Sequence, residues 1–153
     1  MAAKPTIIKC PHCDTKNRVR PSATGIPRCS VCHTVLPWIA ETDAGGFDAE
    51  ITASVPILVD FWAPWCGPCR MVSPVVEQMG REFAGRLKVV KLNIDEAPAI
   101  ASRYRVQGIP LLVVIKDGQE IDRVVGAVPA EQLREVLERH LPAQAAAGSG
   151  SDT

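Results

Sequence analysis

Along the first 37 residues, apolar positions come singly or in pairs (Ile7-Ile8, Val19, Ile26, Val35-Leu36) among Pro, Arg and Thr, with no sustained period. Such patches suit brief hairpins and are too sparse to pack a core. The pattern changes at Trp38. Residues 41–46 read as a loop and 47–54 as a short helix. Residues 56–62 form a nearly continuous apolar run broken by Asp60, as in a central strand buried on both faces. Val72, Val75, Val76, Met79 and Phe83 then recur at helical spacing, and Pro74 inside the stripe predicts a kink. Residues 87–94 read as a second strand, and 97–104 as a helix with Pro98 in its first turn. Residues 111–115 and 121–125 are strands joined by Lys116-Asp117-Gly118-Gln119, where Asp-Gly is a hairpin signal. Leu133, Val136, Leu137 and Leu141 mark a last helix. The order strand, helix, strand, helix, hairpin, helix predicts an α/β fold, a central mixed β-sheet flanked by helices on both sides. Residues 143–153 read as a disordered tail.

Composition adds three constraints. With 46% hydrophobic and 22% charged residues in 153, the chain can build one self-supporting core of about 100 residues. Its formal net charge is zero, although residues 1–37 hold six cationic side chains and one anionic. Four thiolates around a zinc ion would bring that excess of five down to about +3, a weak signal that makes nucleic acid an unexpected partner. The longest apolar run, residues 111–115, falls far short of the ~18 needed to cross a bilayer, and nothing reads as a signal peptide. The expected setting is therefore cytoplasmic and reducing, where clustered cysteines bind metal or do redox chemistry.

All six cysteines fall in Cys-x-x-Cys pairs: Cys10/Cys13, Cys29/Cys32 and Cys66/Cys69. Beyond that recurrence no internal repeat is legible. The third pair, Cys66-Gly67-Pro68-Cys69, sits where a buried strand ends and a helix begins. Free N–H groups and the helix dipole there stabilise a thiolate, the nucleophile of thiol–disulfide exchange. Two intervening residues let the second sulfur reach the first. Asp60 is costly inside an apolar strand unless it caps, pairs or works as an acid–base group.

The stretch Val59-Asp60-Phe61-Trp62-Ala63-Pro64-Trp65-Cys66-Gly67-Pro68-Cys69 resembles the active-site segment of thioredoxins. The similarity continues through Pro74, residues 91–95, Gly108-Ile109-Pro110, residues 116–118 and Val125-Gly126, and covers about residues 38–142. It implies a thioredoxin fold and roles position by position. Cys66 would attack a substrate disulfide and Cys69 would release the reduced product. Asp60 would accept the Cys69 proton, with Lys91 modulating it or, on a plainer view, only a solvated strand residue. Pro110 would be a cis-proline that orients extended substrate backbone. Trp65, Gly67, Pro68, Gly108, Ile109 and Gly126 would complete the substrate-facing surface. Trp62 reads as core packing. Leu111 stands where many members carry Thr, which touches substrate preference and not the reaction.

Cys10, Cys13, Cys29 and Cys32 follow the spacing C-x2-C-x15-C-x2-C of a zinc site. Four thiolates fill a tetrahedral ion, so one structural zinc is expected, holding residues 1–37 as a zinc ribbon. His12 and His33 adjoin the ligands without being needed, and His140 reads as a surface residue. A second redox centre is the alternative, since zinc thiolates can oxidise. A ribbon ahead of a thioredoxin domain is similar to the zinc-containing thioredoxins of the thioredoxin 2 type. That likeness implies a protein-disulfide reductase without bound organic cofactor, acting as a monomer on oxidised proteins and recharged by an NADPH-dependent thioredoxin reductase. A zinc-dependent binding or chaperone module is the competing class.

Overall fold

A computed structural model describes residues 5–21 and 25–142; the tail expected at 143–153 lies outside them. Five strands form a mixed sheet in the order β3-β5-β4-β6-β7: β3 (Trp38–Thr42), β4 (Ile57–Trp62), β5 (Lys88–Asn93), β6 (Leu111–Lys116) and β7 (Gln119–Val125). The first three run parallel, and β6 and β7 return antiparallel. Helices α1 (Phe47–Glu50), α2 (Gly67–Glu82), α3 (Pro98–Arg103) and α4 (Ala130–Glu138) cover both faces. Asp117 (φ 53°) and Gly118 (φ 79°) make the tight β6–β7 turn, the left-handed pair that a two-residue hairpin requires.

Alternation along the strands sorts the two cores. Leu58, Val89, Leu112 and Val114 pack against Val72, Val76 and Met79 of α2 and Leu133 and Leu137 of α4. Ile57, Val59, Phe61, Val90 and Leu111 pack on Phe47, Ala97 and Ile100. Asp60 shares the parity of Leu58, so the pleat turns it toward α2. At Gly80, α2 packs tightly on the sheet: a Cβ there would come 2.7 Å from Ile39 Cγ1.

Several boundaries differ from the expectations. Glu41 and Thr42 belong to β3 rather than a loop, paired to Lys91 and Leu92 of β5. Helix α1 stops at Glu50, well short of residue 54. Pro74 lies inside α2, as expected, and the helix continues past it to Glu82. His140 is half-buried and hydrogen-bonds Asp122 Oδ2 at 2.9 Å, so it is not a free surface group.

Strands β1 (Thr6–Lys9) and β2 (Lys16–Val19) pair antiparallel, and Arg28 bridges Val35 in a second short hairpin. Their apolar residues Ile8, Val19 and Leu36 share one small core with Trp38 and Val55, at the end of the sheet where β3, β4 and β5 begin. Lys88 anchors this junction. Its side chain is fully buried, paired with Glu50 at 2.9 Å, and donates to the carbonyls of Pro21 and Glu50. Its ammonium sits 4.4 Å from the centroid of the Trp38 ring. Burial pulls the Lys88 pKa down and Glu50 opposes it. Removing one partner of such a pair strands the other charge, at a cost of about 3–5 kcal/mol.

Candidate functional site

Cys66 ends the loop after β4 and caps α2. Its Sγ accepts the Cys69 backbone N–H at 3.2 Å, which satisfies one of the free donors of the first turn. Pro68 fits there because its missing N–H would have had no helical partner. Cys66 and Cys69 form a disulfide with Cα atoms 5.3 Å apart.

Around this pair the tertiary fold gathers residues that are distant in sequence. Ile109 packs with Cys66, Cys69 and Ala63. The Ile109–Pro110 peptide bond is cis, and Pro110 C=O accepts the Gly126 N–H at 2.8 Å. Gly126 has φ +96°, a conformation that disfavours side chains. Gly108 lies beside Val125, 3.9 Å from the position of a Cβ. Trp65 is 66% exposed, and its indole N–H donates to the Asp95 carboxylate at 3.0 Å. With exposed Met71 and Val125, these residues leave apolar surface open near the disulfide.

Behind the disulfide lies a cavity of ≈ 250 Å³ lined by Asp60, Trp62, Cys69, Arg70, Ser73, Lys91 and others. Trp62 thus faces the cavity as well as the packed core. Asp60 is 1% exposed, and among the described residues neither of its oxygens has a hydrogen-bond partner. Burial pushes its carboxyl up to about 7, partly opposed by Lys91, while Glu77 adds to the rise. Lys91 is its register partner on β5 and is buried rather than solvated. Sequence reasoning does not single out Ser73 and Glu77, which bind the Lys91 ammonium. A signal for them exists: Cys69, Ser73 and Glu77 recur at i, i+4 and i+8 on one helix face.

A stability consequence follows from Asp60. The folded chain keeps its proton up to about pH 7, whereas an ordinary aspartate loses it near 3.8. Stability therefore falls as pH rises from about 4 to 7, by about 1.4 kcal/mol per pH unit, about 4 kcal/mol in total. Asp60→Asn, with both proteins oxidised, should match the parent near pH 4 and exceed it by several kcal/mol at pH 8 in urea unfolding. An equal gain at both pH values would contradict this account.

The other four cysteines converge as well. All four sulfurs lie within 4.8 Å of one another, with Cys10–Cys32 and Cys13–Cys29 at 3.5 Å. Ligands about 2.3 Å from a tetrahedral zinc stand about 3.8 Å apart, so the donor set fits that ion. The two knuckles repeat each other beyond their cysteines. Cys10 N–H donates to Thr15 C=O and Cys29 N–H to Thr34 C=O, each at 2.8 Å. Thr15 and Thr34 place hydroxyls 3.1 and 3.2 Å from the sulfurs of Cys13 and Cys32. Asp14 and His33 both adopt positive φ. The repeat is thus Cys-x-x-Cys-x-Thr, longer than the cysteine recurrence alone. Buried Asn17 ties the knuckles together, donating to Thr15 C=O and accepting from Ser30 N–H at 2.9 Å. The Cys32 backbone N–H chiefly lowers the Cys29 thiol to about 5, whereas burial raises that of Cys10 to about 11. Four sulfurs so close resist ionising together unless a cation lies among them.

The two centres occupy opposite ends of the sheet. The six residues of β4 separate them by roughly 20 Å, so their sulfurs cannot exchange within one chain as folded.

A family model described as thioredoxin matches residues 38–139, and the four-cysteine segment lies outside it. Thioredoxin 1 of Synechococcus elongatus is 52% identical over 102 residues, which cover 67% of this chain and 95% of that protein. A thioredoxin of Staphylococcus aureus is 50% identical over 100 residues, covering 65% of this chain and 94% of its own length.

Proposed function

The chain belongs to the thioredoxin family, and on that premise we propose that its Cys66–Cys69 pair reduces disulfides in other proteins by two successive exchanges. The observation that carries this reading is the Cys66–Cys69 pair at the α2 N-terminus, with a backbone N–H directed at the Cys66 sulfur. The reduced Cys66 thiolate attacks one substrate sulfur, breaks the substrate S–S bond and expels the other sulfur as a thiolate. Cys69 then passes its proton to Asp60 through the shared cavity and attacks Cys66 Sγ. The second substrate thiolate leaves, the Cys66–Cys69 bond closes, and two electrons have moved to the substrate. Lys91 modulates the Asp60 charge. Trp65, Ile109, Pro110 and the backbone at Gly67, Pro68, Gly108 and Gly126 receive the substrate chain. An NADPH-dependent thioredoxin reductase restores the dithiol, and the protein works as a monomer.

Residues 1–37 form a zinc module in this reading and 38–142 the catalytic domain, as in the thioredoxin 2 type. Cys10, Cys13, Cys29 and Cys32 hold the ion. A closed four-thiolate set leaves no position for substrate, so zinc when bound supplies charge neutralisation and folding energy only. Four unbonded cysteines suit a reducing compartment, and a cytoplasmic setting belongs to the proposal. Among the described residues, no helix is long and apolar enough to cross a membrane.

The order of attack is testable. With reduced Cys69→Ser and insulin, the reaction should stop at a mixed disulfide, seen by mass spectrometry as one insulin molecule attached at Cys66. An adduct absent there, or attached to any of the four N-terminal cysteines, would overturn the assignment of Cys66 as nucleophile.

A further inference from the structure

Lys91 is nearly buried, its side chain 8% exposed, and an ammonium so placed needs partners. Two elements compete for it. Across the sheet stands Asp60, the adjacent residue in the β4–β5 register. On the opposite side α2 presents Ser73 and Glu77, one helical turn apart and therefore stacked. Helix α2 has taken it: Lys91 Nζ donates to Ser73 Oγ at 2.5 Å and to Glu77 Oε2 at 2.6 Å. Ser73 Oγ is itself 3.5 Å from the same Glu77 oxygen, so the three groups form a closed triangle. Among the described residues, both Asp60 oxygens are left without a partner.

We propose that Ser73 and Glu77 are positioning residues that clamp the Lys91 ammonium against α2 and thereby keep the Asp60 carboxyl free to take the Cys69 proton. The inference rests on the proton-acceptor role of Asp60 given above, and deepens it. A salt-bridged Asp60 would stay ionised and be a weak base at neutral pH. Pulling the ammonium aside leaves its charge close enough to keep Asp60 from staying protonated throughout, yet removes the direct hydrogen bond. Since Ser73 and Glu77 follow Cys69 on one face of α2, the element that carries the resolving sulfur also holds the device that tunes its base.

The other groups on the cavity leave this logic intact. Glu41 from β3 and Arg70 and Cys69 from α2 complete its charged or titratable lining, while β6 offers Asp60 only the apolar Leu112. Glu77 acts in two ways that share one sign. Its carboxylate repels a charge on Asp60 and also holds Lys91 away. Ser73 carries no charge, so its variant isolates the geometric part.

The test uses the full-length oxidised protein and follows the Asp60 carboxyl by ¹³C NMR as pH is varied. In Glu77→Gln the ammonium turns to Asp60 and the titration midpoint falls by about one pH unit. In Ser73→Ala the midpoint falls in the same direction by a smaller amount, and the acid limb of the pH profile of kcat/KM moves down with it. Glu77 is half-exposed, so its amide isostere leaves the packing in place. A midpoint unmoved or raised in both variants overturns the clamp. Asp60→Asn separates the two ideas. Wild-type turnover in that variant removes the proton-acceptor role itself, whereas lost turnover alongside unmoved midpoints removes only the clamp.

Discussion

Cys66→Ser should lower turnover in insulin-disulfide reduction with dithiothreitol about a thousandfold or more, to the uncatalysed level. The size follows from the chemistry. A serine hydroxyl titrates far above neutral pH, and neither an α2 N-terminus nor one N–H at 3.2 Å makes it an anion there. The fold should survive, because oxygen replaces sulfur at a helix cap, where serine is a favoured residue. Cys10→Ser should keep most of the activity, since the four-cysteine cluster lies at the far end of the sheet. Equal rates for wild type and Cys66→Ser would instead point to a binding or chaperone module that uses the domain as a scaffold.

Protein purified in reductant without chelator should carry one zinc ion per chain, and Cys29→Ala should lower that content at least about tenfold. Three thiolates and a methyl leave the ion open to water and remove the sulfur that accepts backbone N–H groups at the second knuckle. In the proposed zinc module the metal would supply much of the folding free energy, so the loss should reach further than the cluster. The Pro21 carbonyl that receives Lys88 and the cover over Trp38 both belong to that module. Thermal unfolding of Cys29→Ala should therefore begin earlier, with near-ultraviolet circular dichroism changing first. Metal-free wild type with the same unfolding curve would sink the zinc assignment.

Much of the catalytic centre is legible in the order of residues alone. The Cys66/Cys69 pair announces itself by placement, at the end of an apolar run and the start of a helical stripe. Asp60 stands out because a lone carboxylate in such a run is expensive. The four-cysteine spacing likewise predicts a cluster, and the fold brings it together. Other features leave weaker traces. The edge strand β3 reads in part as a loop because Glu41 and Thr42 are polar, and an edge strand tolerates that. Pro74 does not break α2, since helix packing on the sheet outweighs one lost hydrogen bond.

Local chemistry by itself pointed to the Cys66/Cys69 pair, the four-cysteine set and the alternation of strands and helices. Each is written in residues a few positions apart, where spacing and periodicity carry geometry directly. Only the tertiary structure decided which ammonium meets which carboxylate. Lys91 could have bonded Asp60 but sits on Ser73 and Glu77, and Lys88 reaches Glu50, Pro21 and Trp38 across three segments. Those choices depend on distances between elements far apart in the chain, set by how α2 and the first module pack on the sheet. No local pattern encodes such a distance, because it is the sum of every contact that positions the two surfaces.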